Sequence, residues 1–119
     1  MARYVDGFVL AVQKKKLAAY VRMAREGKRL WMKYGAVDYK ECIADDVRPK
    51  GFTLTFPKML RLKKGEVAVF SFIVYKSRAH RDRVTAKVMK DPSMDGFSKE
   101  MPFDMKRMAM GGFKVAVEK

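Results

Sequence analysis

A lysine, an arginine and two adjacent glycines lie close together in residues 101–114, MPFDMKRMAMGGFK. Lys106 and Arg107 could neutralise a phosphate, and Gly111–Gly112 could let its oxygens approach the backbone. A phosphate loop, however, needs a helix directly after its glycine-rich turn, with the helix N-terminus facing the anion. The stretch that follows the glycines, FKVAVEK, alternates as a strand does. We therefore expect the glycines to mark a bulge or a close approach of another backbone, and not a nucleotide site.

A strand predicted over residues 106–117 separates the two cations. Successive side chains of a strand point to opposite faces, so Lys106 and Arg107 should not form a joint clamp. The methionines that share the face of Lys106 are typical of core or dimer packing, since methionine fills irregular gaps. The face of Arg107 carries small residues, which leave room for a closely packed helix or for a ligand. These assignments follow the alternation of Lys106, Met108 and Met110 against Arg107, Ala109 and Gly111.

Two ionisable side chains elsewhere are candidates for a site. Asp6 interrupts an apolar strand and needs a partner if it is buried. We predict that Arg107 is this partner, because the first and last strands should be neighbours; the pair could be structural or could orient a ligand. His80 is expected in the first turn of a helix, where the helix dipole disfavours protonation. It could therefore act as a neutral acid–base group, or simply be a surface residue.

Aromatic residues add to this candidate site. Trp31 and Tyr34 belong to an apolar stripe with helical spacing, and we expect them in the core, at the mouth of a pocket. Cys42 and His80 are too few ligands for a structural zinc site, and no serine, histidine and acid triad can be assembled. We expect no metal and no cofactor.

The elements that must position these residues alternate between strand and helix patterns. The order strand, helix, strand, strand, helix, strand is the split βαβ or ferredoxin-like pattern of the α+β class, with a four-stranded antiparallel sheet. We predict a single domain over residues 1–119, of a length that buries one core. The predicted strands are 4–12, 36–47, 65–75 and 106–117, and the predicted helices are 14–34 and 78–90, the second capped by Ser77.

The third strand is apolar on both faces in residues 67–74. Two helices can cover only one face of a four-stranded sheet, and a face open to water should be polar. We therefore predict a homodimer in which a second copy covers the other face, giving a dimeric α/β barrel.

The chain is strongly basic, with a formal net charge of +14. Such a field attracts polyanions, although it could equally be a solvated surface. Nucleic-acid binding is the less favoured alternative, because only Phe52 and Phe56 interleave with the cations and base stacking usually needs more aromatic residues. The densest basic segment, residues 48–64, contains Arg48, Lys50, Lys58, Arg61, Lys63 and Lys64.

Localisation is predicted from the chain's apolar runs and its cysteine content. The N-terminal apolar run precedes its lysines, the reverse of a secretory signal, and no run approaches the length of a membrane span. A single cysteine fits a reducing compartment. We expect a cytoplasmic protein without a membrane partner.

Four stretches resemble the YbaA-like family of uncharacterised bacterial proteins. That family resembles the dimeric α/β-barrel superfamily, whose members include cofactor-free oxygenases, isomerases and plain ligand binders. The resemblance implies the same fold but transfers no catalytic residue. Met105 stands where the family usually has glycine, so strain is expected if its φ is positive. The stretches are YVDGFVLAV, GAVDYKECIADDV, SRAHRD and MPFD followed by KRM and GGF.

Three functions remain open from the sequence. The first is binding of a small molecule, which could be anionic, in the cleft between sheet and helices, with or without an oxygenase- or isomerase-like activity. The second is polyanion binding through residues 48–64. The third is a non-catalytic dimeric interaction module.

Overall fold

Four strands and three α-helices form the part of the chain that the computed structural model describes, residues 2–98 and 101–119. The strands make one antiparallel sheet in the order β2-β3-β1-β4. This is the predicted ferredoxin-like fold, with the first and last strands adjacent. The elements are β1 (Tyr4–Gln13), α1 (Leu17–Lys33), β2 (Asp38–Ile43), α2 (Phe56–Leu60), β3 (Glu66–Tyr75), α3 (Arg78–Lys90) and β4 (Ala109–Lys114). Short 3-10 turns lie at Lys14–Lys16, Pro92–Ser98 and Met105–Arg107.

Helix α3 begins where the sequence indicates, whereas α1 begins at Leu17, three residues after the predicted start, because residues 14–16 form a 3-10 turn. The Ser77 hydroxyl caps α3 by accepting a hydrogen bond from the backbone N–H of His80 at 3.1 Å. Gly35 follows α1 with a φ of 108°, a conformation that glycine adopts without a steric cost. Gly27 permits a close contact inside α1, since a Cβ there would lie 2.9 Å from the hydroxyl of Tyr39. These contacts hold α1 tightly against β2.

Helices α1 and α3 cover one face of the sheet. Two clusters of buried side chains lie between the helices and this face. One contains Leu30, Ile73 and Tyr75, and the other contains Leu10 and Val69. The partly buried ring of Phe8 contacts both clusters. The core therefore has two centres along β1 and β3.

The other face of the sheet is apolar and partly exposed across β1, β3 and β4, whereas β2 contributes Asp38 and Lys40 to it. Phe70 on β3 is 45% exposed and Phe113 on β4 is 63% exposed, although both are large hydrophobic side chains. The register of β1 with β3 and β4 places their neighbours on the same face. These neighbours are Val5, Gly7, Val9 and Ala11 on β1, Ala68, Phe72 and Val74 on β3, and Ala109 and Gly111 on β4. We call this set, with Phe70 and Phe113, the open face.

The last strand is shorter than predicted, and this corrects the placement of Lys106 and Arg107. Both lie in the 3-10 turn Met105–Arg107, before β4 begins, so the prediction that they alternate across a strand is wrong. The turn forms because the Asp104 carboxylate accepts a hydrogen bond from the backbone N–H of Lys106 at 3.0 Å. Met105 is not strained, since Arg61 is the only non-glycine residue with positive φ in the described ranges.

Gly112 makes room for a ring and not for a backbone or a bulge. The pairing of β1 with β4 is regular, with Asp6 opposite Gly112 and Gly7 opposite Gly111. A Cβ at Gly112 would overlap the ring of Tyr4. The expectation of a bulge or a close backbone is therefore wrong, because the group that approaches Gly112 is the Tyr4 side chain.

Helix α2 was not predicted from the basic segment. Its prolines and Gly51 indicate irregular structure, but Pro57 lies in the first turn, where the missing N–H has no cost. The Thr55 hydroxyl caps the helix by accepting from the N–H of Lys58 at 3.2 Å. The combination of a capping threonine and an early proline was the signal that the sequence reading missed.

Candidate functional site

A largely apolar pocket lies between the two core clusters. The sheet, α1, α3 and side chains from residues 94–97 and 101–108 line it, and its volume is about 320 Å³. This size is within the range of small-molecule sites. Seven of the ten methionines of the chain contribute to the lining, and Met89, Met105 and Met110 are half exposed or more, which places them at the mouth. The methionines are Met23, Met89, Met94, Met101, Met105, Met108 and Met110.

Two polar atoms of the pocket lining lack a hydrogen-bond partner among the described residues. They are the indole Nε1 of Trp31 and the hydroxyl of Tyr75, and both are fully buried. Asp6, Thr85 and Trp31 lie close enough to the Tyr75 hydroxyl to shift its pKa, but none of them is placed in hydrogen-bond geometry with it. Burial and the charge of Asp6 raise the pKa of Tyr75 to about 12, so its hydroxyl stays protonated at neutral pH. Buried polar groups in folded proteins are nearly always paired, and each exception needs an explanation.

Asp6 lies in the same pocket and pairs with an arginine of α3. Arg81 donates from Nη1 to Oδ1 of Asp6 at 2.6 Å, and its guanidinium lies 4.9 Å from the ring centre of Tyr4. Burial raises the pKa of the Asp6 carboxyl above 3.8, and the attraction of Arg81 does not fully offset this. Asp6 is therefore a carboxylate that binds a proton more readily than usual.

The predicted pair of Asp6 with Arg107 is wrong. Asp6 is opposite Ile73 in the sheet, whereas Glu66, the partner of Arg107, is opposite Gln13 at the other end of β1. Adjacent strands can carry complementary charges that lie too far apart along the strand direction to meet. Sequence order predicts that β1 and β4 are neighbours, but it does not give the register.

Arg107 instead joins β3 to the end of α2. Its guanidinium donates to both carboxylate oxygens of Glu66, at 2.6 and 2.9 Å. It also donates to the backbone carbonyls of Leu60 and Arg61, at 3.2 and 3.1 Å. The Arg107 guanidinium, with the N–H of Lys63, lowers the pKa of Glu66 from 4.5 to about 2. The Arg107–Glu66 pair connects the basic segment to the sheet, and neither residue lines the pocket.

A second carboxylate, Glu41 on β2, also lines the pocket. It accepts hydrogen bonds from the hydroxyls of Tyr20 at 2.7 Å and Tyr39 at 2.8 Å. Burial and the neighbouring carboxylate raise the pKa of both tyrosines. The sequence reading missed this group, although the alternation of β2 places Tyr39 and Glu41 on one face.

Tyr34 and His80 lie outside the pocket lining. The Tyr34 hydroxyl donates to Asp91 at 2.6 Å, which connects the end of α1 to the end of α3. The Nδ1 atom of His80 accepts from the backbone N–H of Lys76 at 3.0 Å. Burial and nearby cations lower the pKa of His80, so its imidazole is neutral at neutral pH. Of the five residues expected at the site, the structure brings only Asp6 and Trp31 into the pocket.

The basic segment is exposed, as predicted. All six of its cations have exposed side chains, and Asp46 forms ion pairs with Arg48 at 3.1 Å and Lys50 at 4.0 Å. Phe52 and Leu54 are 89% and 69% exposed beside these charges. The segment is therefore a surface that is both cationic and apolar.

In chemical terms, the pocket presents donors and a base to an apolar molecule. Trp31 and Tyr75 can each donate a hydrogen bond, and Asp6 could accept a proton from a group held beside it. Within the described ranges, no three His, Cys, Asp or Glu side chains are placed to hold a metal ion. None of the helices in those ranges is long and apolar enough to cross a membrane.

Comparisons with known proteins agree with this fold. A YbaA protein of Escherichia coli K12 is 42% identical over 116 residues, covering 98% of both chains, and the YbaA protein of Shigella flexneri matches equally. Both relatives are described as uncharacterised. The crystal structure of a dimeric ferredoxin-like protein from an uncultured marine organism covers both chains fully with a TM-score of 0.59 and 12% identity. Residues 3–105 match the model of the family described as a protein of unknown function, DUF1428. The chain therefore belongs to the DUF1428 family, together with the YbaA proteins.

Proposed function

We propose that this chain is a homodimeric protein that binds a small, mostly apolar molecule in the pocket between the sheet and the helices. One observation carries the proposal: two buried donors, on Trp31 and Tyr75, lie without partners in the lining of a pocket of about 320 Å³. A buried polar group without a partner costs about 1–3 kcal/mol. A ligand that accepts from both donors would remove this cost, and an empty apolar pocket would not.

Capture of the natural ligand tests the pocket. The protein is purified under native conditions and denatured, and the released compounds are identified by mass spectrometry. Ala24→Leu adds volume to the pocket lining, so this variant should lose the retained compound. Ala18→Leu, a matched change on an exposed position of α1, should retain it. Equal retention by both variants would mean that the compound binds elsewhere.

The open face supports the homodimer. It presents Phe70 and Phe113 to solvent next to a row of small and β-branched side chains. Exposed apolar patches of this kind mark interaction sites, and a second copy brings an identical patch related by a twofold axis. The marine structure of the same fold is described as dimeric.

Sedimentation tests the dimer. We expect a dimer at micromolar concentration for the native chain and a monomer for Phe70→Glu, which places a charge in the proposed interface. Phe52→Glu is the control, because Phe52 lies outside the open face and is 89% exposed. A native chain that sediments as a monomer would refute this part of the proposal.

Polyanion binding is a second candidate. The exposure of all six cations of residues 48–64, beside the exposed ring of Phe52, favours it. Affinity for single-stranded nucleic acid should then fall steeply with salt and show little sequence preference. Binding that is independent of salt would contradict this function.

Oxygenase- or isomerase-like activity stays a prediction. Asp6 is the residue in the pocket that could act as a base, because its pKa is raised. Loss of turnover in Asp6→Asn, with ligand binding retained, would assign it this role.

A further inference from the structure

The indole of Trp31 restricts what can occupy the pocket. An indole N–H is a donor only, so its partner must be an acceptor. Among the described residues of the lining, the Tyr75 hydroxyl is the other fully buried polar atom without a partner in hydrogen-bond geometry, and it can donate to the same group. A carbonyl oxygen has two lone pairs and can accept from both donors at once.

The charges of the lining argue against an anionic acceptor. Asp6 and Glu41 both face the pocket, and its described lining contains no lysine, arginine or histidine. The guanidinium of Arg81 is committed to Asp6 and Asp82, at 2.6 and 2.8 Å. A carboxylate in the pocket would therefore lose its hydration without gaining a cationic partner. The high net charge of the chain lies elsewhere, on its surface.

The rest of the lining selects for an apolar body. Methionine side chains adapt their shape and contact aromatic rings favourably. Phe8, Phe97 and Phe103 add flat apolar surface. Binding a polar molecule to such a lining gives little favourable free energy, whereas burying a hydrocarbon skeleton against it is favourable.

We propose that the occupant is a neutral compound with an apolar, carbonyl-bearing skeleton, whose carbonyl oxygen accepts hydrogen bonds from Trp31 Nε1 and the Tyr75 hydroxyl. The inference rests on the ligand-binding function proposed above and names its chemical class. It excludes the anionic small molecules that the net charge alone suggests.

The single tryptophan gives a direct test. In ¹⁵N-labelled full-length protein, the indole N–H of Trp31 gives one resonance, which moves downfield when it donates a hydrogen bond. Three probes of matched shape are titrated: 2-acetylnaphthalene, 2-naphthoate and 2-isopropylnaphthalene. They carry a neutral carbonyl, a carboxylate and no acceptor, respectively.

We expect 2-acetylnaphthalene to bind at least about tenfold more tightly than either other probe and to move the Trp31 resonance downfield, since one good hydrogen bond is worth about that factor. Tyr75→Phe should weaken its binding several-fold and leave that of 2-isopropylnaphthalene unchanged.

Other outcomes overturn the inference in distinguishable ways. Equal binding of 2-isopropylnaphthalene would mean that water, and not a ligand, satisfies the donors. Tightest binding of 2-naphthoate would mean that the occupant is anionic. In both cases the pocket still binds a small molecule, so the proposed function survives. If no probe binds, the inference fails, and the capture experiment alone decides the proposed function.

Discussion

Two pairs of arginine with a carboxylate, at opposite ends of β1, have opposite effects on the carboxylate. Arg81 pairs with Asp6 and Arg107 pairs with Glu66, each with a shortest distance of 2.6 Å. The pKa of Asp6 is nevertheless raised, whereas that of Glu66 is lowered to about 2. The length of an ion pair therefore does not tell whether the carboxylate is stabilised.

The number of hydrogen-bond donors around each carboxylate explains the difference. Glu66 accepts two bonds from Arg107 and one from the backbone N–H of Lys63, at 2.7 Å. Asp6 accepts one short bond from Arg81 and is also stabilised by the nearby Tyr75 hydroxyl, but it lies in a largely apolar lining, where burial outweighs both interactions. A fully bonded carboxylate fixes structure, and an incompletely bonded one in a pocket is available to a ligand.

The largest effect should come from removing the structural pair. Arg107→Ala leaves Glu66 without its guanidinium and the carbonyls of Leu60 and Arg61 without a donor. We expect Tm to fall by about 10 °C or more, measured by thermal unfolding. Lys106→Ala is the control. Lys106 is next to Arg107 in the sequence and its side chain is exposed, so this substitution should change Tm little. Equal, negligible changes for both variants would show that the Arg107 pair is not structural.

A smaller effect should follow from removing the arginine at the pocket. Arg81→Ala leaves the buried Asp6 carboxylate unpaired, at a cost of about 1–3 kcal/mol in unfolding free energy. We expect a cost in the lower half of this energy range, since the Arg81 side chain is 21% exposed and water can reach the ion pair. Asp6→Asn should change the unfolding free energy by less, about 1 kcal/mol at most, because Arg81 keeps Asp82 and the ring of Tyr4.

Denaturant unfolding at neutral pH measures both variants, with the exposed Arg83→Ala as the control on the same helix. If Asp6→Asn costs as much as Arg81→Ala, then the pocket pair is structural, like the pair of Arg107.

The pH dependence of stability separates the two carboxylates further. The pKa of Glu66 is lower in the folded state, so its contribution to stability is present above pH 4.5 and is lost as the pH falls towards 2. The pKa of Asp6 is raised, so its contribution is greatest below pH 3.8 and declines as the pH rises through its folded value.

The test measures unfolding free energies as a function of pH, from neutral pH down to acid. It compares the native chain with Glu66→Gln and Asp6→Asn. The gap between the native chain and Glu66→Gln should close on acidification. The native chain should gain relative to Asp6→Asn under the same change. If acidification changed the stability difference from the native chain in the same direction for both variants, the contrast between Asp6 and Glu66 would be wrong.

The smallest effect concerns the turn that Arg107 holds. Arg61 ends α2 with a φ of 51°, a left-handed conformation that disfavours residues other than glycine. Arg61→Gly should raise the unfolding free energy by about 0.5–1 kcal/mol, since the carbonyl that accepts from Arg107 is unchanged. A decrease in chemical denaturation experiments would indicate that the Arg61 side chain contributes to the fold.

Local sequence patterns predicted much of the fold and less of the site. The cap at Ser77 was expected, because it depends on residues that are near in sequence. The start of the last strand was misjudged, because Asp104 forms a local turn that competes with the strand pattern.

The candidate site depended on contacts that sequence does not contain. Asp6 and Trp31 were named from their residue types alone, and both line the pocket. Tyr75 lies at the end of an apolar strand and Glu41 lies in the second strand, and neither position has a local pattern that marks a site. No pattern indicates which buried hydroxyl will lack a partner, because this depends on every group around it.

The sequence by itself determined the order of the elements, the family and the presence of two apolar faces on β3. These depend on periodicity and composition, which are local properties. Only the tertiary structure decided that Asp6 meets Arg81 and that Arg107 meets Glu66. Strand register and helix placement set those distances, and charge pairing falls off too steeply with distance to be inferred from strand adjacency alone.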